Sequence, residues 1–276
     1  MATQNKNILI PVDLRSGTDV AIRKAIELAG DGIHIHLFHV LQYSKTGISE
    51  KVQQYFYELY QRPAYMQAEI QMHQWKDAIC KNKEHAMVTT WIVDETPVQQ
   101  AIEKKAAELR ADLIVLVKKK YFSFFPFLNR VIPALLSQNT GTIVLSIKSN
   151  ATGKKAATVV PITKETSLQE KEIISLICKN AASKIHLVSF INKNKESVNA
   201  HAPVFQFYEW LNALHQEIEY AAIQGSNKSR ALIHYGAKVN ANSILFHNIS
   251  ETKIISQKKK LSTSWEDKAG FIMSTG

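Results

Sequence analysis

Lys118, Lys119 and Lys120 directly follow the apolar run 113–117, and Asp13 closes a second apolar run, NILIPVD. Three ammonium groups beyond a strand end can hold an anion such as a phosphate. A carboxylate in that place can accept from a ribose hydroxyl or an adenine amine, or it can cap the helix that follows. A charge run is more often a solvated face, so the lysines alone do not define a site. His34, His36 and His39 raise the question of a metal. Strand alternation puts His34 and His36 on one face and His39 on the other, with no adjacent cysteine or acid. The three do not read as a zinc set, and no metal site is expected. His186 repeats the position of His36 at an offset of 150, which points to packing or capping instead. Residues 225–229, GSNKS, end like a phosphate-binding P-loop, but Ala222 and Asn227 stand where that loop needs glycine. No Gly-x-Ser-x-Gly elbow and no paired-carboxylate motif is present. No catalytic residue is assigned, and the chain reads as a non-enzyme.

These residues need elements to hold them. Residues 113–117, LIVLV, read as a strand buried on both faces, the centre of a parallel sheet. In such sheets ligands sit beyond the carboxyl ends of the strands, where strand order reverses. Residues 7–13 form a strand stopped by Pro11. Thr18 caps a helix to about residue 28, ended by Gly30 and Gly32. Residues 33–40 form the next strand. Strand, helix, strand with short connections predicts a right-handed parallel crossover. Residues 41–85 form a long crossover with helices at 49–61 and 64–83, separated by Pro63. Tyr55, Phe56, Tyr57 and Tyr60 give the first an aromatic side. Basic residues hardly interleave with these rings, so the stripe reads as core or interface rather than a base-stacking platform. Then come a strand at 85–93, a helix at 97–109, the central strand, an aromatic loop at 122–127, a helix at 128–138 and a fifth strand at 141–147.

Residues 148–155, KSNATGKK, read as a linker, after which the pattern begins again. TVVPIT at 158–163 matches ILIPVD at 8–13, and IHLVSF at 185–190 matches IHLFHV at 35–40, both at an offset of 150. ANSILF at 241–246 matches ADLIVL at 111–116 at an offset of 130. Two domains are therefore expected, residues 1–150 and 151–276. The second is degenerate and about 20 residues shorter up to its fourth strand. Its helices fall at 167–183, 203–216 and 226–239, its third strand at 218–224 and its candidate fifth strand at 271–274. Each copy has an apolar strand at its sheet edge, and pairing the two removes an aggregation hazard. Self-association is expected in the form of an intramolecular pseudo-dimer.

The formal net charge is +10, with the excess spread over both halves, which argues against a nucleic-acid partner. No apolar run is long enough to cross a membrane. The start, MATQNKNILI, lacks a secretory pattern. Cys80 and Cys178 lie in separate helical stretches and read as free thiols in a reducing cytoplasm.

NILIPVD and ADLIVL, in two halves that each open on a strand ending in proline, resemble the universal stress protein family. The resemblance implies an α/β fold of two tandem Rossmann-like doubly wound parallel sheets. Each would have five strands in order 3-2-1-4-5, with the second copy shortened, and family dimers often pair through fifth strands. ATP-binding members carry Gly-x2-Gly-x9-Gly-Ser/Thr after the fourth strand. Here Val117 and Lys120 stand at the first two glycine positions, and Asn129 or Arg130 at the third. No glycine occurs between Gly47 and Gly141. The family's aspartate at the end of the first strand is kept as Asp13 and is Thr163 in the second copy. The resemblance thus marks Pro11, Asp13, Val40, Val117, Lys118, Lys120 and Arg130 as a vestigial nucleotide cleft, with ATP not expected as a cofactor. The expected role is a non-catalytic stress-response protein that binds a small molecule or an unidentified protein partner. The alternative is an adenine-nucleotide-binding protein with weak ATPase activity, using Asp13 and Lys118 to Lys120.

Overall fold

Apolar side chains on both faces of successive short strands dictate a sheet covered by helices on each side. The computed structural model of the chain describes residues 5–14, 18–41, 57–94, 97–118, 128–148, 157–162, 168–179, 184–191, 207, 209–210, 217–225 and 227–247. Their strands are β1 (Lys6–Pro11), β2 (Ile33–Leu41), β3 (Met87–Asp94), β4 (Leu113–Lys118), β5 (Ile143–Lys148), β6 (Thr158–Pro161), β7 (Ile185–Ile191), β8 (Ile218–Gln224) and β9 (Ser243–Phe246). Their helices are α1 (Thr18–Leu28), α2 (Arg62–Asn82), α3 (Val98–Glu108), α4 (Leu128–Thr140), α5 (Leu168–Lys179) and α6 (Lys228–Lys238).

The strands form one sheet in the order β3-β2-β1-β4-β5-β9-β6-β7-β8. Every pairing is parallel except β5 with β9. Alternation divides the apolar side chains between two layers. Ile8, Ile10, Leu113, Val115, Leu145, Val160 and Leu187 face α1, α2 and α5, whereas Leu9, Ile114, Val144, Val159 and Val188 face α3, α4 and α6. Ile8, Leu9 and Ile10 are all fully buried, as expected for a strand with helices on both sides. Gly236 lets α6 lie close on β9: a Cβ there would come within 2.6 Å of Ile244 Cδ1.

The strands of both halves form one continuous nine-stranded sheet among the described residues, and the join between the halves differs from the expected pairing of fifth strands. The expected edge partner of β5, residues 271–274, lies outside the described residues. β5 pairs instead with β9, the counterpart of β4. Side-chain fit explains this register. Leu145 lies opposite Leu245 in one apolar layer and Val144 opposite Phe246 in the other, so both faces stay covered across the join. Ser137 of α4 donates to the Phe246 carbonyl at 3.1 Å and straps the join from one side.

The crossover also differs from expectation. Residues 42–56, with most of the expected helix 49–61, lie outside the described residues. Tyr57–Gln61 is a π-helical turn that runs straight into α2. Pro63 does not separate two helices. It sits where the π-helical turn passes into α2, inside a continuous helical run. Tyr60 is 58% exposed and is not core. The linker residues 149–155, the aromatic loop at 122–127 and most of the expected helix 203–216 also fall outside the described residues.

Candidate functional site

At the carboxyl ends of β1, β2 and β4 the chain brings Pro11, Asp13, Val40 and Val117 to one border of the sheet. Pro11 ends β1 in register with Phe38. Val12 donates its N–H to the Phe38 carbonyl at 2.8 Å, extending the ladder to the edge of the turn. His39, buried on the opposite face of β2 from His36, lies with Nδ1 3.0 Å from the Val12 carbonyl, so that nitrogen carries the proton and donates. Thr18 donates its hydroxyl to the Asp13 carbonyl and ties the turn to the start of α1. Asp13 is half-buried at the tip of this turn. Val40 packs against the α3–α4 layer and Val117 against the α1–α2 layer, so both contribute walls rather than polar groups.

Lys118 closes β4 opposite Lys148, and Arg130 lies in the first turn of α4. Their side chains, together with Lys119 and Lys120, lie outside the described residues. The border therefore joins a fixed carboxylate turn to apolar walls. Backbone approach to a phosphate favours glycine, and the stretch after β4 has none.

A second polar group lies at the opposite border, and sequence reading missed its assembly. Asn7, His34, His36, Thr89, Trp91 and Lys105 come from β1, β2, β3 and α3. The His34 and His36 rings are 4.0 Å apart. His36 Nε2 is 3.3 Å from Asn7 Oδ1, which can only accept, so that nitrogen carries the proton. His36 Nδ1 then accepts from Trp91 Nε1 at 3.3 Å and from the Thr89 hydroxyl at 3.0 Å. Thr89 in turn accepts from His34 Nε2 at 2.6 Å. Asn7 passes the chain on to the Leu109 carbonyl at 2.9 Å.

Both nitrogens of His36 are thus committed to the neutral form. Burial lowers its pKa to about 4, with His34 and the Lys105 ammonium adding to the effect. Burial also lowers His34. Lys105 is itself buried and lies 4.1 Å from the centre of the Trp91 ring, with Glu108 2.7 Å from its Nζ. The available signal was the shared offset: His36 and His186 lie 150 apart, and Lys105 and Tyr235 lie 130 apart. His39 takes no part in this cluster. Among the described residues no three His, Cys, Asp or Glu side chains gather in a way that could hold a metal ion.

The β7–β8 side repeats the geometry with other groups. His186 Nδ1 is 3.0 Å from the Tyr235 hydroxyl and 3.4 Å from Glu219 Oε2. Lys184, in the place of His34, pairs with Glu217 at 3.1 Å and with Glu219. Burial lowers the His186 pKa and Glu219 opposes the shift. Cys80 and Cys178 are free thiols, and burial pushes Cys178 up to about 12, which removes it as a nucleophile. No helix among the described residues is long and apolar enough to cross a membrane.

Compared with known proteins, the chain matches the model of the universal stress protein family over residues 4–146. A universal stress protein from Archaeoglobus fulgidus superposes with a TM-score of 0.51 at 13% identity, over 90% of this chain and 98% of that one. A functionally unknown protein from Pseudomonas aeruginosa gives 0.47 at 12% identity, over 95% and 98% of the two chains. UspA from Lactobacillus plantarum gives 0.43 at 20% identity, over 52% of this chain and 97% of its own. No curated protein matches the chain.

Proposed function

Because the chain belongs to the universal stress protein family, we propose that it serves in the stress response by binding, without catalysis. Its ligand is a small molecule or a partner protein, and its place is the cytoplasm. The division at residue 150, the two halves acting as an intramolecular pseudo-dimer, and Pro11, Asp13, Val40, Val117, Lys118, Lys120 and Arg130 as a vestigial nucleotide cleft are parts of the same proposal. The observation that carries it is the border at β1 and β4. A carboxylate turn held by Thr18 and His39 is kept there, while the stretch after β4 offers no glycine for a phosphate cradle. Val117 is β-branched and resists positive φ, and Pro126 and Pro133 each lack a donor. Lysine charges near a surface contribute about 1 kcal/mol or less each, too little to replace the cradle.

The test is a thermal melt of the full chain with millimolar Mg-ATP at physiological salt. The expected outcome is no shift. A ligand present at a hundred times its Kd stabilises by about 2.7 kcal/mol, which a melt detects readily. A clear shift that disappears in Asp13→Ala would establish the nucleotide-binding alternative instead.

A further inference from the structure

Between the ends of α3 and α4 and the first turns of α5 lies a cavity of about 350 Å³. It opens at the amino ends of β4 and β5, the border opposite the Asp13 turn. Its polar lining is Arg110, Asp112, Thr140, Thr142 and Glu170, with Gly141 between the two threonines. We propose that this cavity binds a free α-amino acid as its zwitterion, the carboxylate on Arg110 and the ammonium on Glu170. This goes beyond the functional reading above and does not depend on it.

The walls are built before any ligand arrives. Asp112 Oδ2 accepts the Asn7 N–H at 2.8 Å, and the Asp112 N–H donates to the Asn7 carbonyl at 2.8 Å. Thr142 donates its hydroxyl to the Ala111 carbonyl at 3.1 Å. Lys6 pairs with Glu172 at 2.5 Å and holds α5 against the start of β1. Glu170 is fixed from behind, with its Oε1 3.0 Å from Nε2 of the buried His247. Burial depresses the His247 pKa more than Glu170 raises it. The His247 ring is then neutral at pH 7.

Arg110 is the cationic pole. It takes φ 48° just past α3, a conformation that disfavours a long side chain. Its counterpart at an offset of 130 is Asn240, at φ 51°, a residue type that tolerates this region more easily. At both positions the positive φ closes the helix, with the Ala111 N–H on the Ala106 carbonyl at 2.9 Å and the Ala241 N–H on the Gly236 carbonyl at 2.8 Å. A guanidinium matches a carboxylate through two parallel N–H donors. A carboxylate with neighbouring hydroxyls suits an ammonium. The volume falls in the range of small-molecule sites, and two carboxylates in the lining disfavour phosphate.

The experiment is a thermal melt and calorimetric titration of the full chain with the proteinogenic amino acids, one at a time, at millimolar concentration. Inorganic phosphate and the N-acetylated form of any active amino acid serve as controls. At least one amino acid is expected to raise the melting temperature, with neither control doing so. Arg110→Asn should weaken binding about tenfold or more while leaving the unliganded melting temperature unchanged or higher. Glu170→Gln should weaken it as well. The proposal is overturned if no amino acid stabilises the chain, if phosphate does so equally, or if the stabilisation survives Arg110→Asn. The arginine variant decides the matter even if Glu170→Gln folds poorly.

Discussion

His36 and His186 occupy the same position in two stretches of strand, are equally buried at 4% exposure, and both have their pKa lowered by burial, but they differ in the partners that meet them. Around His36 every partner is neutral except Lys105, and two donors close its Nδ1 against a proton. Around His186 the partners include the Glu219 carboxylate, which favours a proton. Thr89 and Glu219 make the same register pairing with their histidine. Exchanging Thr89 for Glu219, His34 for Lys184 and Lys105 for Tyr235 at equivalent positions changes the polar network from a directed hydrogen-bond chain to a group centred on the Glu219 carboxylate. The backbone sets where the polar groups meet, and the side chains set which protonation state the meeting tolerates.

The largest effects that test this comparison lie in the shared backbone frame. Leu37 and Leu187 are fully buried counterparts at an offset of 150. Leu37→Ala and Leu187→Ala should each cost roughly 2–5 kcal/mol in denaturant unfolding, within a single transition because β5 and β9 join the sides. A cost below 1 kcal/mol for Leu187→Ala alone, on the order of a surface change, would mean that the frames are not equivalent.

The next effect separates the histidines by pH. The folded pKa of His36 lies below its ordinary 6.5, at about 4. Between these values the unfolded chain binds a proton that the folded chain refuses. Stability therefore falls as pH drops through 6.5 and levels off below about 4, a loss of roughly 2–3 kcal/mol. His36→Asn should flatten this part of the stability–pH curve. His186→Asn should flatten it less, because Glu219 counteracts burial there. Equal flattening by the two variants would erase the asymmetry.

Smaller effects come from the flanking charges. Lys105→Met should cost about 1 kcal/mol, from loss of the cation over Trp91, and should do so at any salt concentration because the ammonium is buried. Lys184→Met removes exposed pairs with Glu217 and Glu219. It should give the least change of the series, detectable at low salt and absent in molar salt. A salt-insensitive cost for Lys184→Met would show that its network works as the buried one does.

The strands were legible because Ile8–Ile10 and Leu113–Val115 are apolar on both faces, a pattern that only a doubly covered sheet requires. Thr18 announced the start of α1. The offset at His186 pointed to a packing role for His36, and both histidines do sit in packed hydrogen-bonded positions. The β5–β9 join was not legible, because its register depends on Leu145 meeting Leu245 a hundred residues away. Lys105 reads in sequence as an ordinary helical lysine, and only the packing of α3 on the sheet brings Trp91 beneath it. Glu170 and His247 carry no local pattern at all. At the Asp13 border the carboxylate and the apolar walls could be named from sequence, whereas the buttress from His39 required the fold.

The antiparallel join of β5 to β9 has a consequence for stoichiometry. The hydrogen-bonding edge of β5 is satisfied within the chain, so the energy of that ladder belongs to a unimolecular equilibrium. Dilution leaves such a contribution untouched, whereas an edge shared between two chains loses it by mass action. The outer strands β3 and β8 are the two remaining edges of the described sheet.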